Sequence, residues 1–171
     1  IAVDEFLAEN TNIEGAVYIW DDNGSDTQRG TNADYIVANG TMATNTTAAG
    51  GHTRYNQRLG SVQGFFVKLT GSADTDITFT ENMQENNNNS DDNFFRETNI
   101  PIVRVNLTNQ EGLFKQTVIA FADDANGAEI NRAYDAPSFN SKSDDGLFSL
   151  KAGRTLALNG MPEDWESIQL Q

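Results

Sequence analysis

The apolar residues of this chain fall into short runs, and each run is bounded by residues typical of turns. The segments GAVYIW at residues 15–20 and TVIAFA at residues 117–122 are of this kind, and an Asp- and Asn-rich segment with a glycine follows each of them. Runs of this length are shorter than most helices but typical of β-strands. Thr, which is abundant here, favours strands, while Asn, Asp and Gly favour turns. The sequence therefore predicts an all-β fold of many short strands joined by polar loops.

About eight segments have the length and side-chain alternation of strands. The alternation within residues 63–69 predicts that Leu69 faces the core, and that within residues 76–80 predicts a strand that buries Ile77 and Phe79. Between strands, residues 40–60 have little apolar content and predict a long surface excursion. The other predicted strands are residues 15–20, 34–39, 101–107, 113–122, 146–151 and 155–158.

One segment has the periodicity of a helix. In residues 3–9 (VDEFLAE), Val3, Phe6 and Leu7 have the i, i+3, i+4 spacing of an apolar stripe. Short strands separated by frequent turns are typical of a β-sandwich. We therefore predict a jelly-roll-like antiparallel β-sandwich with one short N-terminal helix, formed by residues 1–171 as a single module.

The charge of the chain limits its partners. There are 11 Lys and Arg against 25 Asp and Glu, for a formal net charge of −14. Binding to nucleic acid depends on Lys and Arg that neutralise phosphates, and anionic membrane surfaces also attract basic segments. The longest apolar runs are far shorter than the ~20 residues that span a bilayer. We expect neither a nucleic-acid partner nor membrane insertion.

The residues that usually carry catalysis are scarce. The chain has one histidine, His52, which lies in a Gly-rich segment, and it has no cysteine. General bases need fixed geometry, and zinc or copper sites need several His or Cys ligands. No G-x-S-x-G segment presents a nucleophile, and carboxylate pairs among so many acidic residues are unspecific. We expect the chain not to be an enzyme.

Calcium is the cofactor that the acidic turns favour. Ca²⁺ takes 6–8 oxygen ligands from carboxylates, amides and carbonyls. Three turns concentrate such groups next to a predicted strand, at residues 21–26, 123–129 and 143–146. The alternative is that the Asp and Asn side chains of these turns bind backbone groups. The candidate ligands in the first two turns are Asp21, Asp22, Asp26, Asp123, Asp124 and Asn126.

Aromatic side chains provide a second candidate site. An aromatic ring offers a large apolar face at low entropic cost, which suits stacking on a sugar ring. Trp20, Tyr35 and Trp165 are the candidate glycan-binding residues, and Trp20 shares one face of its predicted strand with Tyr18. The alternative is that these rings pack in the core.

Several segments taken together resemble a β-rich module of large surface proteins that are exported by the type IX secretion system. The resemblance runs in order through nearly the whole chain. The matching segments are residues 4–20 (DEFLAENTNIEGAVYIW), 63–68 (QGFFVK), 77–83 (ITFTENM), 94–96 (FFR), 104–116 (RVNLTNQEGLFKQ), 131–136 (NRAYDA) and 147–161 (LFSLKAGRTLALNGM).

This resemblance implies a non-catalytic, extracellular or cell-surface module of an adhesin-like secreted protein, with adhesion or glycan binding as its function. It also implies a sandwich that is incomplete at both ends, and partners in the secretion machinery or in other segments of the same protein. The alternative is a spacer segment that precedes the sorting domain and has no ligand of its own. Among the matched polar positions, Arg132 and Asp135 are expected to form a buried ion pair or to contribute to a calcium or ligand site.

Overall fold

The computed structural model describes residues 1–21, 35–46, 55, 57–71, 75–84, 100–110, 113–139, 146–165 and 170. Within these residues the chain forms one α-helix, a 3₁₀ turn at Glu81–Met83 and eight strands. None of the helical segments described is long and apolar enough to cross a membrane. The elements are α1 Val3–Glu9, β1 Ile13–Trp20, β2 Tyr35–Ala38, β3 Phe66–Leu69, β4 Ile102–Thr108, β5 Phe114–Phe121, β6 Ala136–Pro137, β7 Ser149–Lys151 and β8 Arg154–Met161.

The strands form two sheets, and the predicted all-β sandwich is confirmed. The first sheet has the order β2-β1-β3, and the second has the order β4-β5-β8-β6, with β7 also paired to β8. One pairing differs from the antiparallel prediction, because β5 and β8 run parallel, with Val118 opposite Leu158. Parallel neighbours need a long crossover connection. Here the crossover contains β6 and β7, both of which pair antiparallel with β8.

The space between the two sheets is filled by a core of small and aromatic residues. Ala16 and Tyr18 of the first sheet pack with Val118, Ala120 and Leu158 of the second, and all five are buried. The buried hydroxyl of Tyr18 donates a 2.9 Å hydrogen bond to the carbonyl of Pro137. A buried hydroxyl without a partner would cost free energy, so this bond fixes β1 against β6.

A second core lies on the opposite face of the first sheet. Val17 and Ile19 of β1 pack there with Phe6 of α1, as the helical periodicity predicts. Strand β1 is therefore buried on both faces. The prediction of a surface excursion at residues 40–60 is wrong at both ends, because the segment returns to this sheet. The buried residues that show this are Met42, Ala43 and Leu59.

Residues 76–80, predicted as a strand, form none. The side chain of Asn10 takes both backbone groups of Thr78: it donates to the carbonyl at 2.9 Å and accepts from the amide at 2.8 Å. A neighbouring strand would have to form its hydrogen bonds with these same backbone groups. Ile77 is partly buried against the second core, and Phe79 is exposed, although its ring still contacts Phe6.

The prediction that Leu69 faces the core is also wrong. The pairing of β1 with β3 is irregular between Ile13 and Val17, where four residues of β1 correspond to two of β3. Such a bulge redirects the side chains beyond it. Leu69 lies at the end of this edge strand and is exposed. The last two predicted strands, residues 146–151 and 155–158, correspond to the two strands of the β7–β8 hairpin, in which Ala152 and Gly153 both have positive φ angles, as a tight two-residue turn requires.

Gly15 allows β1 to approach the segment that contains Arg132. A Cβ atom at Gly15 would lie 2.6 Å from the backbone oxygen of Arg132. We predict that Gly15→Ala lowers the free energy of unfolding by about 1–3 kcal/mol, as overpacking does. Urea denaturation measures this change. Gly64→Ala is the matched control, because no atom lies within 4 Å of its added Cβ. Equal stability of the two variants would contradict the prediction.

Candidate functional site

The pairing of the first sheet brings aromatic residues of three strands onto one face. Trp20 lies opposite Tyr35, and Tyr18 lies opposite Phe66. Tyr18 and Trp20 point to the same side of β1, since they are two residues apart. Tyr18 is fully buried between the sheets, whereas Trp20 at the strand end is 48% exposed. The aromatic face thus begins in the core and continues out to the surface.

Phe139, which follows β6, completes this group from the second sheet. Its ring centroid lies 4.4 Å from that of Tyr35, 4.8 Å from that of Tyr18 and 5.4 Å from that of Phe66. Tyr35 also contacts Trp20 at 5.2 Å and Phe66 at 5.9 Å, both with rings nearly perpendicular. Edge-to-face contacts of this kind are favourable for aromatic pairs. We call these five residues, Tyr18, Trp20, Tyr35, Phe66 and Phe139, the aromatic cluster.

A lysine closes the inner end of the aromatic cluster. The Nζ atom of Lys68 lies 5.3 Å from the ring centroid of Tyr18 and 5.7 Å from that of Phe139. It donates a hydrogen bond to the carbonyl of Ser138. Burial lowers the pKa of Lys68, and the positive charge of Arg154 acts in the same direction, while the negative charge of Glu14 opposes both. The lysine therefore supports the rings from within.

An ion pair lies beside this lysine. Arg154 donates to one carboxylate oxygen of Glu14, and the second oxygen, Oε2, is buried without a hydrogen-bond partner. Both charges act on Tyr18 as well as on Lys68. Burial is nevertheless the main reason that the pKa of Tyr18 is raised. The aromatic cluster thus has a charged boundary at its inner end and exposed rings at its outer end.

The structure brings together two of the three predicted glycan-binding residues. Trp20 and Tyr35 are in contact. Trp165 follows the C-terminal end of β8, and its ring lies against Gly127. The aromatic cluster lies near the start of β8, because the amide of Ser138, next to Phe139, donates a hydrogen bond to the carbonyl of Thr155. The two sites are therefore at opposite ends of β8. Trp165 is 41% exposed, and its role in sugar binding stays a prediction.

Sequence reasoning missed two members of the aromatic cluster. The alternation within residues 63–69 predicts that Phe66 points away from the core. A large aromatic residue on the exposed face of a strand was therefore a signal that could have identified it as a binding residue. Phe66 is 51% exposed. No comparable signal identified Phe139. It joins the cluster through contacts with Phe66, Tyr35 and Tyr18, which lie 73, 104 and 121 positions earlier in the chain, and no local pattern encodes such contacts.

The acidic turn after β5 uses its oxygen atoms within the protein. Asn126 accepts hydrogen bonds from the amides of Ala128 and Glu129 at 2.8 and 3.0 Å. Asp124 accepts a 2.6 Å hydrogen bond from the hydroxyl of Tyr134. The two bonds of Asn126 are the backbone contacts that the alternative to a calcium site predicts. Asp123 is exposed.

The turn after β1 is described only at its first residue. Asp21 accepts a 2.6 Å hydrogen bond from the hydroxyl of Thr46. Asp22, Asp26, His52 and residues 143–145 lie outside the described residues. Within the described part of the chain, no group of three or more His, Cys, Asp or Glu side chains could hold a metal ion. Calcium binding stays a prediction.

Asp135 is the centre of a buried polar network. Its carboxylate accepts from Lys151 Nζ and from the Asn131 amide, each at 2.7 Å, and from the Gly160 amide at 2.8 Å. Lys151 Nζ also donates to the Gly160 carbonyl at 2.7 Å. The side chains of Asp135 and Lys151 are almost completely buried. The expected buried ion pair is therefore present, with Lys151 and not Arg132 as the partner of Asp135.

Arg132 has a different structural role. Its Nη2 atom donates to the carbonyl oxygens of Leu7 at 3.4 Å and Asn10 at 3.1 Å, at the C-terminal end of α1. The last carbonyls of a helix have no partner within the helix, and a cation there also interacts favourably with the helix dipole. The last turn of α1 contains no basic residue of its own. Arg132 supplies that charge from a distant segment.

The comparisons with known proteins identify a family. A family described as "Domain of unknown function (DUF8693)" matches residues 1–169. No curated protein matches the chain, and no solved structure matches it.

We predict that the charge of Asp135 is needed for stability. Asp135→Asn leaves the buried ammonium of Lys151 without its counter-charge, so the free energy of unfolding should fall by about 3–5 kcal/mol. Adding Lys151→Met removes that ammonium and should recover part of the loss. Urea denaturation compares the two variants. If the single and double variants are equally destabilised, the ion pair is not the cause of the loss.

We predict a pH effect at the turn after β5. The hydrogen bond from Tyr134 to Asp124 raises the pKa of Tyr134 to about 12. A raised pKa means that the folded state favours the protonated tyrosine. The contribution of this hydrogen bond to stability is therefore complete below the unfolded pKa of about 10 and is lost as the pH rises through about 12. Asp124→Ala should lower the pKa of Tyr134 towards its ordinary value. Tyrosinate absorbance measures this pKa, with Tyr134→Phe to assign the signal. An unchanged titration would contradict the assigned cause.

Proposed function

The chain belongs to the DUF8693 family of domains of unknown function, and we propose that it is a non-catalytic extracellular module that binds glycans through the aromatic cluster. The resemblance to modules of type IX secreted surface proteins supports the extracellular location and an adhesive role. The aromatic cluster supports glycan as the ligand. The module would act within a larger cell-surface protein, beside other segments of that protein.

The observation that carries this proposal is the exposure of Trp20 and Phe66. Each ring is about half exposed, and each contacts Tyr35, so the two form one aromatic surface. Tyr18, which belongs to the same row of rings but packs between the sheets, is by contrast buried. A contiguous exposed apolar surface on a folded protein commonly marks a binding site.

The aromatic surface is also rigid, which favours binding. Phe139 packs against Tyr35 and Phe66 from the second sheet, and Lys68 holds the adjacent backbone at Ser138. A ring that is already held in place loses little conformational entropy when a ligand stacks on it. Sugar rings have apolar C–H faces that can stack on such a surface.

We predict that single substitutions in the aromatic surface weaken glycan binding. Trp20→Ala and Phe66→Ala should each weaken binding by about 2 kcal/mol, which is roughly thirtyfold in Kd, as truncation of an aromatic hot spot does. Affinity electrophoresis of the full chain in gels that contain different polysaccharides measures the retention. Thermal melting of each variant checks that the fold is intact.

Phe79→Ala is the matched control. Phe79 is the same residue type as Phe66 and is similarly exposed, at 56%, but its ring contacts Phe6 and not the aromatic cluster. It should retain the polysaccharide as the unmodified chain does. If no polysaccharide is retained, the glycan proposal is wrong and the chain is a spacer without a ligand. If Phe66→Ala and Phe79→Ala behave alike, the aromatic cluster is not the binding site.

A further inference from the structure

Given the glycan binding proposed above, on which this inference rests, we propose that the aromatic cluster takes uncharged polysaccharides and rejects acidic ones. Glycans fall into neutral polymers and polymers with carboxylate or sulfate groups. Charge-assisted hydrogen bonds from Lys or Arg are the strongest contacts that a protein can offer to the second class. The disposition of charge around the aromatic cluster decides between the two classes.

The exposed part of the aromatic cluster is apolar. The ring centroids of Trp20 and Phe66 lie 5.2 and 5.9 Å from that of Tyr35, so the two exposed rings belong to one aromatic surface. The faces of these rings attract C–H groups and cations, because the ring quadrupole is negative at the face. An anionic group placed there would gain nothing from the rings.

Lys68, the cation of the aromatic cluster among the described residues, is engaged in contacts within the cluster. Its ammonium donates to the Ser138 carbonyl and lies over the rings of Tyr18 and Phe139. These contacts lie at the inner end of the cluster, where Tyr18 is fully buried. An acidic sugar would have to compete with these contacts to bind the ammonium of Lys68. The lysine therefore supports the rings and does not bind anions.

Arg154, the second cation beside the cluster in the part of the chain that the structure describes, is paired. It donates to Glu14, whose carboxylate is largely buried and remains in place next to it. An anionic sugar that approached Arg154 would meet the charge of Glu14 as well. The pair thus offers no net positive charge to an acidic ligand.

The charge of the chain acts in the same direction at longer range. A net charge of −14 repels polyanions, and at physiological salt this repulsion extends about 8 Å from the surface. Neutral polymers are unaffected by it. Stacking on uncharged sugar rings should therefore be nearly independent of salt, whereas binding of an acidic polymer would depend on it strongly.

The test is affinity electrophoresis of the full chain in two sets of polymers. Laminarin, mannan and hydroxyethylcellulose are neutral, and alginate, polygalacturonate and chondroitin sulfate are acidic. Each gel is run at low and high salt, about 0.02 M and about 0.5 M, which changes the screening length severalfold. We expect retention by at least one neutral polymer at both salt concentrations and by none of the acidic polymers. Trp20→Ala should reduce that retention about tenfold or more.

The outcomes separate this inference from the proposed function. Retention by an acidic polymer that needs Trp20 would overturn the uncharged class and leave glycan binding at the aromatic cluster in place. Retention that is unaffected by Trp20→Ala would overturn the site itself. A chain that no polymer retains would overturn both. Thermal melting of Trp20→Ala shows whether a loss of retention reflects the site or the fold.

Discussion

Strand β1 separates two hydrophobic cores, and every other layer of the structure is positioned against it. Ala16 and Tyr18 point towards the second sheet, while Val17 and Ile19 point towards α1, and all four are buried. A half-buried strand tolerates polar residues on one face, but a strand buried on both faces does not. The nearly continuous apolar run of this segment follows from that position. Gly15, which has no side chain, provides the close approach that the Arg132 segment needs.

Buried polar side chains join the layers at points that hydrophobic packing alone would not fix. Asn10 binds the end of α1 through Phe6 and the 75–80 segment through Thr78, and Arg132 binds the carbonyls at the same helix end. Asp135 joins the segment before β6 to β8, because its carboxylate accepts hydrogen bonds from the amides of Asn131 and Gly160. Each of these side chains is hydrogen-bonded to backbone groups, and a hydrogen-bond partner is what a buried polar group requires. Some Asn and Asp side chains of this protein thus make the hydrogen bonds to backbone groups that regular secondary structure would otherwise make.

The parts of the fold that were predictable from sequence are those with a local cause. The stripe of Val3, Phe6 and Leu7 is sufficient to place α1, and the run at β1 is sufficient to place that strand. The failures have distant causes. Asn10 prevents a strand at residues 76–80 by binding Thr78, 68 residues further along the chain. The parallel pairing of β5 with β8 depends on a crossover that no local periodicity encodes.

The aromatic surface follows from the way β1 leaves the sandwich. The face of β1 that carries Tyr18 is covered by the second sheet, with Pro137 accepting its hydroxyl, and Phe139 lies where that cover ends. Two residues further on, the same face carries Trp20, which is only half covered. The alternation of a strand fixes both rings on one side, so the core and the exposed surface share a single row of aromatic residues. Sequence therefore indicated Trp20 and Tyr35, whereas Phe139 could be recognised only once the second sheet was in place. A binding surface built as an extension of the core inherits the rigidity of the core, because Tyr18 and Lys68 hold its inner end.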